Sequence, residues 1–399
     1  MGPLAPSPVC RWDVHDEEIG KWRAALLVGR GRAYNQSRAG GRPFRGRPFL
    51  CKSGEGRSVL RSRRFWVGLA VSAVFIALLF VRTRPGTVAS ALAGANYWWL
   101  APAVAVYFVS VWVRAYRYRF ILRGVREVPG SALFPILIVG YMANNLLPAR
   151  AGELVRAYVL GERHQVAKMA ALGTVAVERL FDGLTLLGFL ALTVLWLGGD
   201  SALKDLALIA VAIFAAALAV FVGALAAPDT TEQLVARASR LLPGRFQRRA
   251  YDLAGSFVEG LRSLRRPDAF AWVVATSLVA WLLEAVVYFL VGRGFGLDVN
   301  FGYFMMAVGA GNLAITAPSS QGGIGPFEFF VKQVLLGAAA GEAVAAAYSF
   351  AVHAVIIVPA TALGLYYLWA MNLSLGALSR RAAPAPVYET VPTDSGTDD

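Results

Sequence analysis

Charge is what this sequence lacks most: 16% of its 399 residues are Asp, Glu, Lys or Arg, against about 25% in an ordinary soluble domain. The deficit is concentrated in stretches that hold none of them: Val88 to Val113, Val128 to Ala149, Leu206 to Pro228, Val299 to Phe327 and Ala343 to Ser379. A bilayer core is crossed by about 20 apolar residues, so each run is long enough to span one. Phe65 to Val81 and Gly183 to Gly199 are shorter and suffice if their flanking side chains snorkel. So many runs exclude a removable signal peptide as their explanation. Cysteine is scarce too. Cys10 and Cys51 both precede the first apolar run, which excludes a disulfide framework and a cysteine-built metal site. They read as thiols of a reduced, cytosolic segment. No nucleotide-binding motif is present, so any transport would draw on a gradient or on downhill flow. Neither a cofactor nor a metal is expected.

What is present points to an all-α polytopic membrane protein. Of a net charge of +14, +9 lies in residues 1–64, which are rich in Gly, Pro and Ser and lack any helix or strand period. They read as a disordered basic cytoplasmic tail, residues 65–371 as the transmembrane domain, and 372–399 as a second disordered tail. Basic residues mark the cytoplasmic side. They cluster at Arg114, Arg117, Arg119, Arg123 and Arg126, then at Arg150, Arg156, Arg163 and Lys168, and again over 229–268, with eight arginines. The segments between are poor in them. Both termini are therefore expected in the cytoplasm, with the chain in the inner (cytoplasmic) membrane.

Counting crossings exposes a parity conflict. Residues 114–127 and 150–168 both read as cytoplasmic, yet an uncharged run lies between them. Pro129, Pro135, Gly140 and Pro148 interrupt that run, so 131–165 is read as a re-entrant hairpin. In the C-terminal half, 299–338 carries Pro318, Gly322, Gly323, Gly325 and Pro326 and is read as a second hairpin, entering from outside. The expectation is about six full crossings plus two re-entrant helical hairpins, eight membrane segments in all, arranged as an inverted repeat. Residues 65–199 form the first half and 205–370 the second. The stretch 229–268 is an amphipathic cytoplasmic connector that begins at an Asp229–Glu232 capping box.

Ionisable residues at membrane depth are costly and mark candidate sites. The stretch Asn144, Asn145, Pro148, Arg150, Gly152, Glu153 and Arg156 offers a broken helix beside arginines, chemistry that suits a phosphate. An interfacial Arg–Glu cluster that only fixes the hairpin fits equally. Glu178, Arg179 and Asp182 follow at helical spacing and serve either a ligand or an ion pair between helices. Pro318, Gly322, Gly323, Gly325 and Glu328 form a turn that backbone or ligand can approach closely. Glu284 and His353 are held in reserve as single polar residues in apolar helices, each a proton relay or a group satisfied by a neighbouring helix.

These texts together resemble the flippase-like transmembrane region of the lysylphosphatidylglycerol synthases: Asn-x-x-x-Pro-x-Arg-x-Gly-Glu-x-x-Arg at 144–156, Glu-Arg-x-x-Asp at 178–182, and Pro…Gly-Gly-Ile-Gly-Pro-Phe-Glu at 318–328. Gln321 departs from the pattern, since relatives often have proline before the Gly-Gly pair. The resemblance covers about residues 65–370. It implies movement of a membrane lipid with a phosphate-bearing headgroup, a phospholipid or a polyprenyl-phosphate-linked lipid, and not lysine transfer. Too few residues follow the last apolar run for the synthases' aminoacyltransferase domain. The alternatives are a membrane-embedded glycosyltransferase-type enzyme, against which stands the lack of Asp or Glu in 82–97, and an accessory subunit of a lipid-modifying enzyme, which would then be the partner. Nucleic acid is not an expected partner.

Overall fold

A computed structural model describes residues 63–147, 151–197, 266–315 and 320–373, with parts of 212–239 and positions 247 and 255. Pro148, Arg150, Pro318, nearly all of both expected tails and most of the connector lie outside the described residues. Among the described residues every regular element is helical. In chain order they are α1 (Arg63–Phe80), α2 (Pro85–Ala93), α3 (Leu100–Leu122), α4 (Gly130–Leu146), α5 (Gly152–His164), α6 (Lys168–Leu197), α7 (Pro228–Ser239), α8 (Pro267–Gly294), α9 (Phe301–Ala314), α10 (Pro326–Gly337) and α11 (Glu342–Ala370).

Among the described residues four helices are long and apolar enough to cross a membrane: Tyr97–Leu122, where a 3-10 turn leads into α3, and α6, α8 and α11. At about 1.5 Å per residue the shortest of them, at 26 residues, outreaches a hydrocarbon core of about 30 Å. The pair α1 and α2 supplies a fifth span if counted as one, although the two are bent by 81°. Arg84 is extended, and Pro85 starts a new helix at the position where a missing N–H costs nothing. Gly94 then ends α2, and the Asn96 side chain accepts from Trp98 N to open the next turn. Lys332 holds the bend. Its Nζ bonds the Leu79 carbonyl at 3.0 Å and the Thr83 hydroxyl at 2.8 Å, and pairs with Glu342 at 2.5 Å. Lys332→Ala is expected to cost about 1–3 kcal/mol, discounted because Glu342 is 39% exposed. A thermal-unfolding midpoint that does not move would remove this lysine from the account of the bend.

Two units have the build of a short helix, a break and a second short helix: α4 with α5, and α9 with α10. The first break follows from Pro148, which pushes Leu147 into extended backbone (φ −96°, ψ 144°). Pro135 does not break its helix, contrary to the sequence expectation; α4 runs through it, and Gly140 lies within it as a packing position. At the second break Gly322, Gly323 and Gly325 all have positive φ, of 73°, 78° and 103°. Only glycine adopts these cheaply. Ser72 of α1 ties this loop down, donating to the Ile324 carbonyl at 2.6 Å and accepting from Ser320 N at 2.9 Å. A methyl group on Gly322 would stand 4.0 Å from the Asn145 carbonyl oxygen, which sets the second break beside the end of α4. In the connector, α7 begins at Pro228, which places Asp229 inside the helix rather than at its cap.

Candidate functional site

The site is built where α3, α5, α6 and α8 come together. α3 and α8 run antiparallel. Asn96 N donates to the Gly294 carbonyl, Ser110 Oγ donates to the Ala280 carbonyl, and Phe120 stacks on Trp272. Between these helices and α6 lie three buried guanidinium groups (Arg114, Arg117, Arg156) and three buried carboxylates (Glu178, Asp182, Glu284).

Each is partnered. Arg117 Nη1 donates to Asp182 at 2.7 Å and to Ser277 Oγ at 2.9 Å, and its Nη2 donates to Glu178 at 3.3 Å. Arg114 Nη2 donates to Glu284 at 2.5 Å while its guanidinium lies 4.0 Å from the centre of the Trp281 ring. The same indole donates Nε1–H to Asp182 at 3.0 Å. Arg156 Nη2 reaches Glu178 at 2.6 Å with its guanidinium over Tyr118. Glu178 and Asp182 do share a helix face, as their spacing of four requires. The buried core of the cluster is electrically neutral, the condition under which charges survive in an apolar interior.

Its rim is different. Arg179 is 43% exposed and Glu153 39%, and they pair loosely at 3.8 Å. Arg179 Nη2 also stands 3.5 Å from both Glu178 and Asp182. Among the described guanidinium groups of the cluster, Arg179 is the accessible one, while Arg156 is committed to Glu178. The Nε atoms of Arg117 and Arg156 find no hydrogen-bond partner among the described residues.

The other sequence candidates are distributed as follows. Asn144 Oδ1 accepts from Gly152 N at 2.9 Å, closing the first break. Asn145 Nδ2 donates to Thr361 Oγ1 at 3.0 Å, joining α4 to α11. Glu284, held in reserve, belongs to the arginine cluster. Among the described residues Glu328 pairs with no arginine; it caps α10 at Gly325 N and pairs with His353. Gly322, Gly323 and Gly325 shape the second break.

Arg114 and Arg117 were missed as site residues, having been counted as part of a cytoplasmic loop. A signal was available: Tyr107, Ser110, Arg114 and Arg117 recur at three- and four-residue steps, a polar stripe on one helix face. Ser277, Trp281, Glu284 and Tyr288 recur at the same steps on α8. Among the described residues no cluster of His, Cys, Asp or Glu is grouped to hold a metal.

Sequence comparison decides the kinship. The family model for the lysylphosphatidylglycerol synthase TM region matches residues 65–364. The chain belongs to this family. Among its relatives, a UPF0104 membrane protein of Methanothermobacter thermautotrophicus is 30% identical over 58% of this chain and 73% of its own length. Glycosyltransferase AglD of Haloferax volcanii is 33% identical over 77% of this chain. That match takes in 54% of AglD, so the chain spans about half the length of this relative. The family member described here is thus a multi-pass helical membrane protein whose charged cluster falls within the matched region.

Proposed function

We propose that this membrane protein moves a lipid with a phosphate-bearing headgroup between leaflets, and that the headgroup enters at Arg179 and Glu153. The observation that carries this is the exposure of Arg179. It is the twelfth residue of the 30-residue, apolar α6, about 17 Å from its start. A guanidinium facing hydrocarbon at that depth is costly, so an exposed one marks a water-filled or headgroup-filled space. Arg179 then offers two parallel donors to phosphate oxygens, and Glu153 releases it or meets a cationic group.

In this reading the two broken units are re-entrant hairpins from opposite faces, related as an inverted repeat of eight membrane segments. The nearness of Gly322 to the end of α4 at Asn145 supports it, because alternating access needs the broken elements of both halves side by side. The termini are cytoplasmic. The likeness to AglD favours a second reading of the same site, in which the lipid carries a sugar on a polyprenyl phosphate and the chain serves a transferase as accessory subunit.

The test is dithionite quenching of fluorescent lipids in proteoliposomes, with phosphatidylglycerol, phosphatidylethanolamine and a polyprenyl-phosphate sugar as separate probes. Arg179→Ala is expected to slow movement at least about tenfold, the equivalent of one lost charge-assisted contact of about 1.5 kcal/mol or more. It should change stability by less than about 1 kcal/mol, because the side chain is 43% exposed. An unaltered rate in Arg179→Ala ends the proposal for this site. Movement confined to the sugar lipid selects the second reading.

A further inference from the structure

The described residues hold a second buried ionisable group that headgroup binding leaves unused. Glu328 on α10 and His353 on α11 are both buried, with Oε1 of the carboxylate 2.5 Å from Nδ1 of the imidazole. The other carboxylate oxygen accepts the Gly325 amide at 2.7 Å, so the group that holds the imidazole also caps α10 at the second break. The imidazole lies flat on Phe327, with ring centres 4.0 Å apart, and cannot swing freely.

Other charged groups on the neighbouring elements are engaged elsewhere. Lys332 on α10 is bound to Glu342 of α11, and Glu284 on α8 to Arg114. The hydroxyl of Tyr348 on α11 donates to the Tyr288 carbonyl. The buried hydroxyl of Tyr288 on α8 faces Asn312 of α9. Its ring centre lies 6.3 Å from that of Phe327.

Charge gives the pair its use. A neutral imidazole beside a carboxylate carries one net negative charge into an apolar interior, and one added proton makes a neutral ion pair. Any rearrangement that moves the loop 320–325 also moves the capping carboxylate, because both ends of Glu328 are committed.

We infer that Glu328 and His353 form a proton-binding site that couples lipid movement to a proton gradient. This rests on the transport reading above. The proton is taken up at the imidazole from the more acidic face and given up to the opposite face once the second break has moved against Asn145; no other bond is made or broken.

The test uses the full chain in vesicles that contain fluorescent phosphatidylglycerol and an internal pH dye. One proton moved per lipid makes a one-unit pH gradient worth up to about tenfold in lipid asymmetry. Wild type is expected to approach that and to shift internal pH as lipid moves. Glu328→Gln and His353→Gln are expected to equilibrate lipid with no response to the gradient. A gradient response kept by both variants, or absent in wild type, overturns the coupling.

A second measurement does not need transport. Only three histidines are present (His15, His164 and His353), so ring-nitrogen NMR resolves each, with His353→Gln for assignment. The His353 signals should change when the proton is bound, and Glu328→Gln should alter that change. Rings that respond in a protein that moves no lipid end the transport reading and leave the proton site standing. An unresponsive His353 in a protein that moves lipid does the reverse.

Discussion

Arg117→Met is expected to cost about 3–5 kcal/mol of stability, the penalty for breaking a buried charge network by removing one member. Arg117 is fully buried and reaches three groups at once: Asp182 at 2.7 Å, Ser277 at 2.9 Å and Glu178 at 3.3 Å. Without it, three buried carboxylates face two buried guanidinium groups. The buried core then carries a net negative charge, answered only by the half-exposed Arg179 at its rim. For a chain of this size the thermal midpoint should fall by about 4–6 °C.

The companion variant isolates charge from volume. Adding Asp182→Asn to Arg117→Met leaves two complete pairs, Arg114 with Glu284 at 2.5 Å and Arg156 with Glu178 at 2.6 Å. The double variant should therefore be more stable than Arg117→Met alone and recover at least half of the lost midpoint. Additivity of the two losses would mean that Arg117 acts by packing. A midpoint equal to wild type in Arg117→Met would mean that the cluster does not depend on balanced charge.

Much of this architecture was open to the sequence, and what was not has a physical cause. The broken units were legible because Pro148, Gly322, Gly323 and Gly325 act on the backbone locally, within a residue or two of themselves. Glu178 and Asp182 were legible as one face because their relation is also local. The partners of Arg114 and Arg117 were not: Glu284 is 170 positions from Arg114 and Ser277 is 160 from Arg117. An arginine that closes a helix inside the protein and one in the loop beyond it look alike in a charge count. Arg119 is exposed and Arg117 buried two residues away. The same holds for Lys332, which a charge count cannot tell from a loop residue and which is buried against α1 and the N-terminus of α11. The proline rule also failed at Pro135, where tertiary packing of α4 on its neighbours carries the helix through a missing hydrogen bond.

The two glycines of the first hairpin make the sharpest link between backbone and site. A methyl group on Gly152 would fall on the Gly140 carbonyl oxygen and the Asn144 amide oxygen, and one on Gly140 would fall on the Arg156 side chain. Close approach of α4 and α5 is therefore what lets Arg156 pass beside Gly140 to Glu178. The two substitutions should differ in kind. Gly152→Ala meets backbone, which cannot rotate away, and also threatens the Asn144 bond to Gly152 N; about 1–3 kcal/mol of overpacking cost is expected, with lipid movement slowed at least about tenfold. Gly140→Ala meets the methylenes of a side chain, which can shift. It should cost less stability and yet still slow movement, because the shift draws Arg156 off Glu178. Thermal midpoints and dithionite-quench rates measured on both variants separate these effects. If Gly140→Ala lost stability and kept its rate, the Arg156–Glu178 contact would be a prop for the fold. If Gly152→Ala matched wild type in both, α4 and α5 would not need to touch, and the hairpin could not be what delivers Arg156 to the cluster.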